Sequence, residues 1–311
     1  MINKTYITLI VLVAFSLLLY GCNVLSATEK YLRAIRSTSN LKSFESTEAF
    51  KISFDLGKAS AKDKKKLKDF KDISINKDLK YSNGNIVENV FFNTESITVD
   101  NTIYIFGKKS YLKSTLFNDK YIDLNKIYSD NDIDKNKKLN EDLMKIWANS
   151  VEKEIMEEEG SSIITTPDGD IKVKQVSLSL NNEKAKIILG DLANLIENNS
   201  NIKDIILKTF KEYNDEKSKV DENKINGWLD NLKDNFESNK KKFEINKLNL
   251  TAKYDKDNYI IEQNIKGTII LKNKGIVKVN FTYDKKYWNI NKKIDIKIPK
   301  IKDSDLWISK R

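Results

Sequence analysis

The residue types that most often carry chemistry are scarce in this chain. It contains no histidine and a single cysteine, Cys22. The missing histidine removes the usual general base, the Ser-His-Asp and Cys-His arrangements and the commonest zinc ligand. One cysteine allows no intramolecular disulfide, so the fold has to be held by its core. Carboxylate pairs and Ser-Lys dyads remain possible in principle, but no spacing singles one out. Glu152, Glu154, Glu157, Glu158 and Glu159 form an acidic run that reads as the solvated end of a helix. No enzymatic activity and no cofactor are expected.

One stretch has metal-like spacing. Asp130, Asp132, Asp134, Asn136, Lys138 and Glu141 fall at positions 1, 3, 5, 7, 9 and 12 of a calcium loop. Lys135 stands where glycine should permit the sharp turn, Lys137 where an apolar residue is usual, and Lys138 adds positive charge. The expectation is therefore no metal, with Asp134 or Asn136 capping a following helix. The net charge of +10 is spread over many lysines. Its densest run, Lys58 to Lys71, reads as a solvated helix face, with contact to anionic headgroups as the functional alternative. Nucleic acid is not an expected partner.

The N-terminus is laid out as an export signal. Lys4 gives a charged start, Tyr6–Tyr20 is an uncharged apolar run, and Gly21-Cys22 closes it. The run is short of the roughly 20 residues that span a bilayer. Leu19-Tyr20-Gly21-Cys22 resembles a lipobox, the motif read by bacterial lipoprotein-processing enzymes, although Tyr20 is bulkier than usual there. The resemblance implies cleavage before Cys22 and a diacylglyceryl group on its thiol, and two acyl chains anchor stably where one is marginal. Residues 1–21 are then a signal peptide, 22–27 a lipidated tether, and 28–311 the folded part. That part is divisible into an N-terminal portion (28–130) and a C-terminal one (138–311). The expected location is the extracytoplasmic face of the cell membrane.

The elements follow from hydropathy periods. A helix should begin near Ser26-Ala27-Thr28-Glu29, with Tyr31, Leu32 and Ile35 on one stripe. A strand follows with Phe44, Phe50, Ile52, Phe54 and Leu56 on one face, interrupted by Glu48, which is expected to reach solvent near a strand end. Further strands are expected near 72–81, 85–93, 96–106, 110–117 and 120–124. Leu139, Leu143, Trp147, Val151 and Ile155 form a ladder that predicts a helix over 138–158. A strand over 171–180 leads into a helix from Asn182 carrying Ala185, Ile188, Leu189, Leu192, Leu195 and Ile196. Two more helices are read through Ile202–Tyr213 and Ile225–Phe236. Half-buried strands occupy the C-terminal third: 247–254, 259–271, 277–283 and 290–298.

The opening helix into Leu41-Lys42-Ser43-Phe44 and the strand through Phe54 resemble the LolA/LppX/LprG-like group of exported lipoproteins. So do Ile103–Gly107, Tyr111-Leu112-Lys113, Lys120–Asp123, and Val176–Leu180 running into the Lys184–Ile196 helix. The likeness is closest to uncharacterised clostridial-type members and covers most of the folded part, through diffuse patterns and no catalytic signature. It implies an α+β fold, a curved antiparallel sheet (an incomplete β-barrel) wrapped over amphipathic helices, with an apolar cavity that in some members holds acyl chains. The apolar faces that would line such a cavity supply Phe50, Phe54, Ile188, Leu192, Ile261, Ile265 and Ile269. The function this suggests is binding of an apolar or amphiphilic, lipid-like ligand in the concave face. The alternative is an envelope protein-interaction or sensor module with a packed, ligand-free core. Expected partners are the bilayer through Cys22, a lipid ligand, and an envelope protein.

Overall fold

A computed structural model describes residues 25–57, 61, 64, 71–118, 120–126, 142–200, 203, 226–227, 229–272 and 277–307. Among the described residues its centre is one curved antiparallel sheet of eleven strands, not closed into a barrel, accompanied by four helices of eight or more residues. The α+β class and the incomplete barrel agree with the reading of the sequence.

The first helix, α1 (Ala27–Ser39), starts where the sequence signals it. The Ser26 hydroxyl accepts from the Glu29 backbone N–H, and the Glu29 carboxylate accepts from the Ser26 N–H at 2.7 Å, a complete capping box. The chain then descends into β1 (Ser43–Asp55) and moves outward strand by strand. The order is β2 (Asp72–Ser82), β3 (Asn85–Asn93), β4 (Thr98–Phe106), β5 (Lys109–Ser114) and the short β6 (Tyr121–Asp123). A second helix, α2, occupies 142–152. From there the chain enters the sheet at its opposite edge through β7 (Glu157–Thr166) and β8 (Gly169–Leu180). Helices α3 (Asn182–Asn198) and α4 (Leu232–Asn239) intervene before β9 (Phe243–Tyr254), β10 (Ile260–Leu271) and β11 (Val277–Trp288) return it to the centre.

The strand order is β6-β5-β4-β3-β2-β1-β11-β10-β9-β8-β7. Each half is thus a meander, and the two meet where the first strand pairs with the last, from Glu45 opposite Trp288 to Asp55 opposite Lys278.

Alternation along the strands gives the sheet two faces. On one, α1, α2 and α3 cover β8, β9 and β10. Tyr31, Ala34, Val151, Val176, Leu178, Ala185, Ile188, Leu250 and Ala252 are buried together there. Helix α1 is fixed by two side chains with two bonds each. Thr28 Oγ1 donates to the Glu154 carbonyl (2.9 Å) and accepts from Met156 N–H (3.2 Å). Thr38 Oγ1 donates to the Ala34 carbonyl (2.7 Å) and accepts from Ile260 N–H (2.8 Å). Buried backbone donors at both ends of the helix are satisfied in this way.

Three expectations are corrected. The helix expected over 138–158 is helical at 142–152 among the described residues. Glu152 does end that helix, but Glu157, Glu158 and Glu159 lie in strand β7. The stretch Thr166-Pro167-Asp168-Gly169 turns the chain back onto β8, and ladder pairing outweighs the helical ladder, whose last member, Ile155, is 91% exposed. Residues 290–298 are not a sheet strand. Asn289 and Asn291 adopt left-handed φ of 51° and 54° and break the run after β11. The chain continues extended to the far edge, where Leu306 bridges Tyr121 and Trp307 N–H donates to the Tyr121 carbonyl at 2.8 Å. Finally, the helix read through Ile225–Phe236 is interrupted: Asn226, Gly227 and Leu229 are helical, the chain turns at Asp230 and Asn231, and a helix resumes at Leu232.

Candidate functional site

Glu48 does not reach solvent at a strand end. It sits in the middle of β1, with Lys285 opposite on β11 and Lys77 opposite on β2. Its Oε1 lies 2.6 Å from Lys285 Nζ, and the two side chains are only 19% and 17% exposed. Burial alone would lower the Lys285 ammonium, but Tyr287, Glu48 and Tyr283 outweigh it and hold it above its ordinary value. The same ammonium lies 4.7 Å from the centre of the Tyr287 ring. Burial also pushes the Tyr283 hydroxyl upward.

This pair is the middle of a polar row that crosses an otherwise apolar face. On one side Lys77 pairs with Glu88 at 3.1 Å. On the other, Gln263 stands opposite Lys285, and Trp147 Nε1 on α2 donates to Tyr31 Oη at 3.0 Å. Tyr31 is fully buried, which drives its hydroxyl well above the usual range against the effect of the Trp147 hydrogen bond. One step from Glu48, Ser46 Oγ is buried without a hydrogen-bond partner. A small cavity of about 180 Å³ lies between α1, α2 and the sheet, bounded by Tyr31, Trp147, Gln263 and Tyr287. Every charge in the row is matched by an opposite one, so the row orients and neutralises; it presents no activated nucleophile.

No protein-family model matches the chain, and no curated protein matches it.

The seven residues expected to line a cavity are divided by the structure. Ile188, Leu192, Ile265 and Ile269 meet in or against the helix-covered core. Ile261 is 1% exposed but lies outside that cluster, because a register shift between Ile260 and Glu262 takes it out of alternation. Phe50 and Phe54 belong to β1, in the other half of the sheet, where they are half-buried beside Tyr283 and Val279. None of the seven lines a second cavity of the sheet. That cavity, about 580 Å³, lies at the far end of β1, β2, β3 and β11 and is bordered by Lys51, Ser53, Ser74, Asn93, Asn280 and Thr282. Register places those six on the sheet face opposite Glu48, whereas Ile52, Ile73 and Phe281, which also border the cavity, lie on Glu48's own face.

Cys22 and the loop with Asp130, Asp132, Asp134 and Glu141 lie outside the described residues. Among the described residues no group of three or more carboxylates is placed to hold a metal ion, and no helix is long and apolar enough to cross a membrane.

The sequence reading missed the polar row. Its one visible signal was Glu48 on an apolar face; its partner lies at the other end of the chain.

Proposed function

We propose that the protein is a lipid-anchored, extracytoplasmic binding module of the cell envelope, whose helix-covered core is packed and holds no ligand. One observation carries this reading. The helix stripe of Ile188 and Leu192 and the strand face of Ile265 and Ile269 pack around the same buried cluster, and the space between α1, α2 and the sheet amounts to about 180 Å³. Pockets for small ligands usually enclose ~300–1,000 Å³. The anchor is supported by the lipobox-like sequence and by the start of the fold, since Ser26 already caps α1 four positions after Cys22.

A second reading is favoured by the half of the sheet formed by β1–β5. There Phe50, Ile52, Ile73, Ile75 and Phe92 form a half-buried apolar face that is set apart from the main contacts of α1, α3 and α4. An amphiphile drawn from the anchoring membrane fits that face, in keeping with the resemblance to LolA-like proteins.

Native mass spectrometry before and after organic extraction separates the two. The packed-core reading expects protein plus its covalent diacylglyceryl group and nothing extractable. A stoichiometric extractable lipid overturns it in favour of the carrier reading. Cys22→Ala tests the anchor itself: processed protein that stays with the membrane fraction would refute it.

A further inference from the structure

The two edges of the sheet are finished differently. The β6 edge is three residues long and takes a parallel bridge from Leu306. The β7 edge is ten residues long, its ladder partner is β8, and eight of its residues are exposed. A long exposed edge offers a row of unpaired N–H and C=O groups to any added strand.

Two further observations point to that edge. Ile155, just ahead of β7, and Ile163 within it are the two most exposed large apolar side chains described, at 91% and 70%. Protective charge is confined to one end. Glu157, Glu158 and Glu159 open the strand, Gly160 follows with φ of 89°, and the register shifts between Glu158 and Ser161. Glu158 is already engaged by Lys30 at 2.6 Å, and Glu159 accepts from Gln175. Beyond the shift, Ser161-Ser162-Ile163-Ile164-Thr165-Thr166 carries no charge and is rich in β-branched residues, which makes it a strong strand-pairing segment.

We infer that β7 is a self-association edge, pairing antiparallel with β7 of a second copy of this chain. The distribution of charge suits a second copy of the same edge and fixes its orientation. Antiparallel pairing about a two-fold axis at Ile163 sets the uncharged stretch 161–165 against itself, with Ile163 opposite Ile163. It leaves Glu157–Glu159 of each copy outside the paired stretch. Parallel pairing would stack the three glutamates of one copy on those of the other, and like charges directly opposite are destabilising. Ser161 faces Thr165 across the new ladder, and each Ile163 is withdrawn from water by the other copy. Residues of one such strand pair bury less than the ~1,200 Å² of stable complexes. The dimer is therefore weak and reversible, and is favoured where anchors concentrate the protein on one surface. The inference rests on the binding-module reading and names its site and partner.

Sedimentation equilibrium of the full chain in detergent, over rising protein concentration, tests it. The expected result is a reversible monomer–dimer equilibrium that Ile163→Lys weakens roughly tenfold or more, about 1.4 kcal/mol. Ile187→Lys, on an equally exposed isoleucine of α3 (63%), is expected to leave the dimer intact. Both variants should keep the melting temperature of the parent, since neither side chain is buried. A chain that is monomeric throughout, or a dimer indifferent to Ile163→Lys, overturns the inference; the former is also the outcome if the edge takes a strand from a different protein. Extractable lipid in the mass spectrum would instead overturn the packed-core reading and leave the sedimentation result untouched.

Discussion

Glu48 on β1 and Lys285 on β11 join the two halves of the chain across the centre of the sheet, 2.6 Å apart and largely shielded from water. Removing one partner leaves the other charge in a poorly solvated place. Replacing both with apolar side chains removes the cost of desolvation along with the attraction. Glu48→Ala is expected to destabilise by ~1–3 kcal/mol, a discounted value for a pair with some solvent access. The double variant Glu48→Met/Lys285→Met is expected to lie closer to the parent. Urea unfolding of both measures this; additive losses would show the pair to be uncoupled.

Gly267 on β10 lies under the Phe281 ring of β11. A Cβ built there falls 2.7 Å from the ring tip and 3.3 Å from Leu248. Lys247, with φ of 58°, marks the β9 bulge opposite. Gly267→Ala is expected to cost ~1–3 kcal/mol by overpacking. Phe281→Leu should cost stability alone yet recover part of the loss in combination, seen as a non-additive thermal shift.

Ile269→Trp distinguishes a cavity from a packed wall. Ile269 packs against the core cluster beneath the helices. The larger ring is expected to cost ~1–3 kcal/mol, with no change in the mass of anything bound. A tolerated tryptophan accompanied by loss of extractable lipid would favour the carrier.

Acid should weaken the fold. Glu29 is held below its ordinary 4.5 by the backbone N–H and hydroxyl of Ser26, and Glu158 by Lys30. Burial works against the charged forms of Glu45 and Glu262, but Lys80 with Asn289, and Lys253 with Lys286, more than offset it and hold both low. A depressed carboxylate contributes stability that is present above its unfolded value and lost as pH falls through its folded one. Asp255, raised chiefly by burial, acts with the opposite sign, favouring the fold as pH falls toward 3.8. Four such groups oppose one, so the melting temperature is expected to decline below pH ~4.5. Ser26→Ala should cost ~1 kcal/mol at neutral pH through loss of the cap. It should also flatten part of that decline.

Local signals made most of this fold legible. The capping pattern at Ser26 located α1, and β1 to β5 fell where alternation put them, because each has one apolar face. Strand β7 was hidden because Ile155 completes the four-residue ladder of Trp147 and Val151, and because an exposed edge strand has no apolar face to betray it. The same alternation misread Ile261, since a bulge changes phase without any change in residue type. The polar row was out of reach for a different reason. Glu48 reads as a misplaced charge until Lys285 is known to stand opposite it, and nothing local connects positions so far apart.

That distance has a consequence for biogenesis. The centre of the sheet is made from the earliest and latest of the described strands to be synthesised, so β1 waits with one side unpaired until Val277–Trp288 has been made. The outward meander β1–β6 is built from neighbouring hairpins and can assemble quickly, whereas the closing seam is a contact of very high sequence separation and forms slowly. During that interval Phe50, Ile52 and Phe54 lie on an open strand, a state prone to aggregation. Folding of this chain is thus a race between completing the last strand and capture of a waiting edge. Chains truncated before β11 are expected to meet the cell's quality-control proteases however well their N-terminal half has folded.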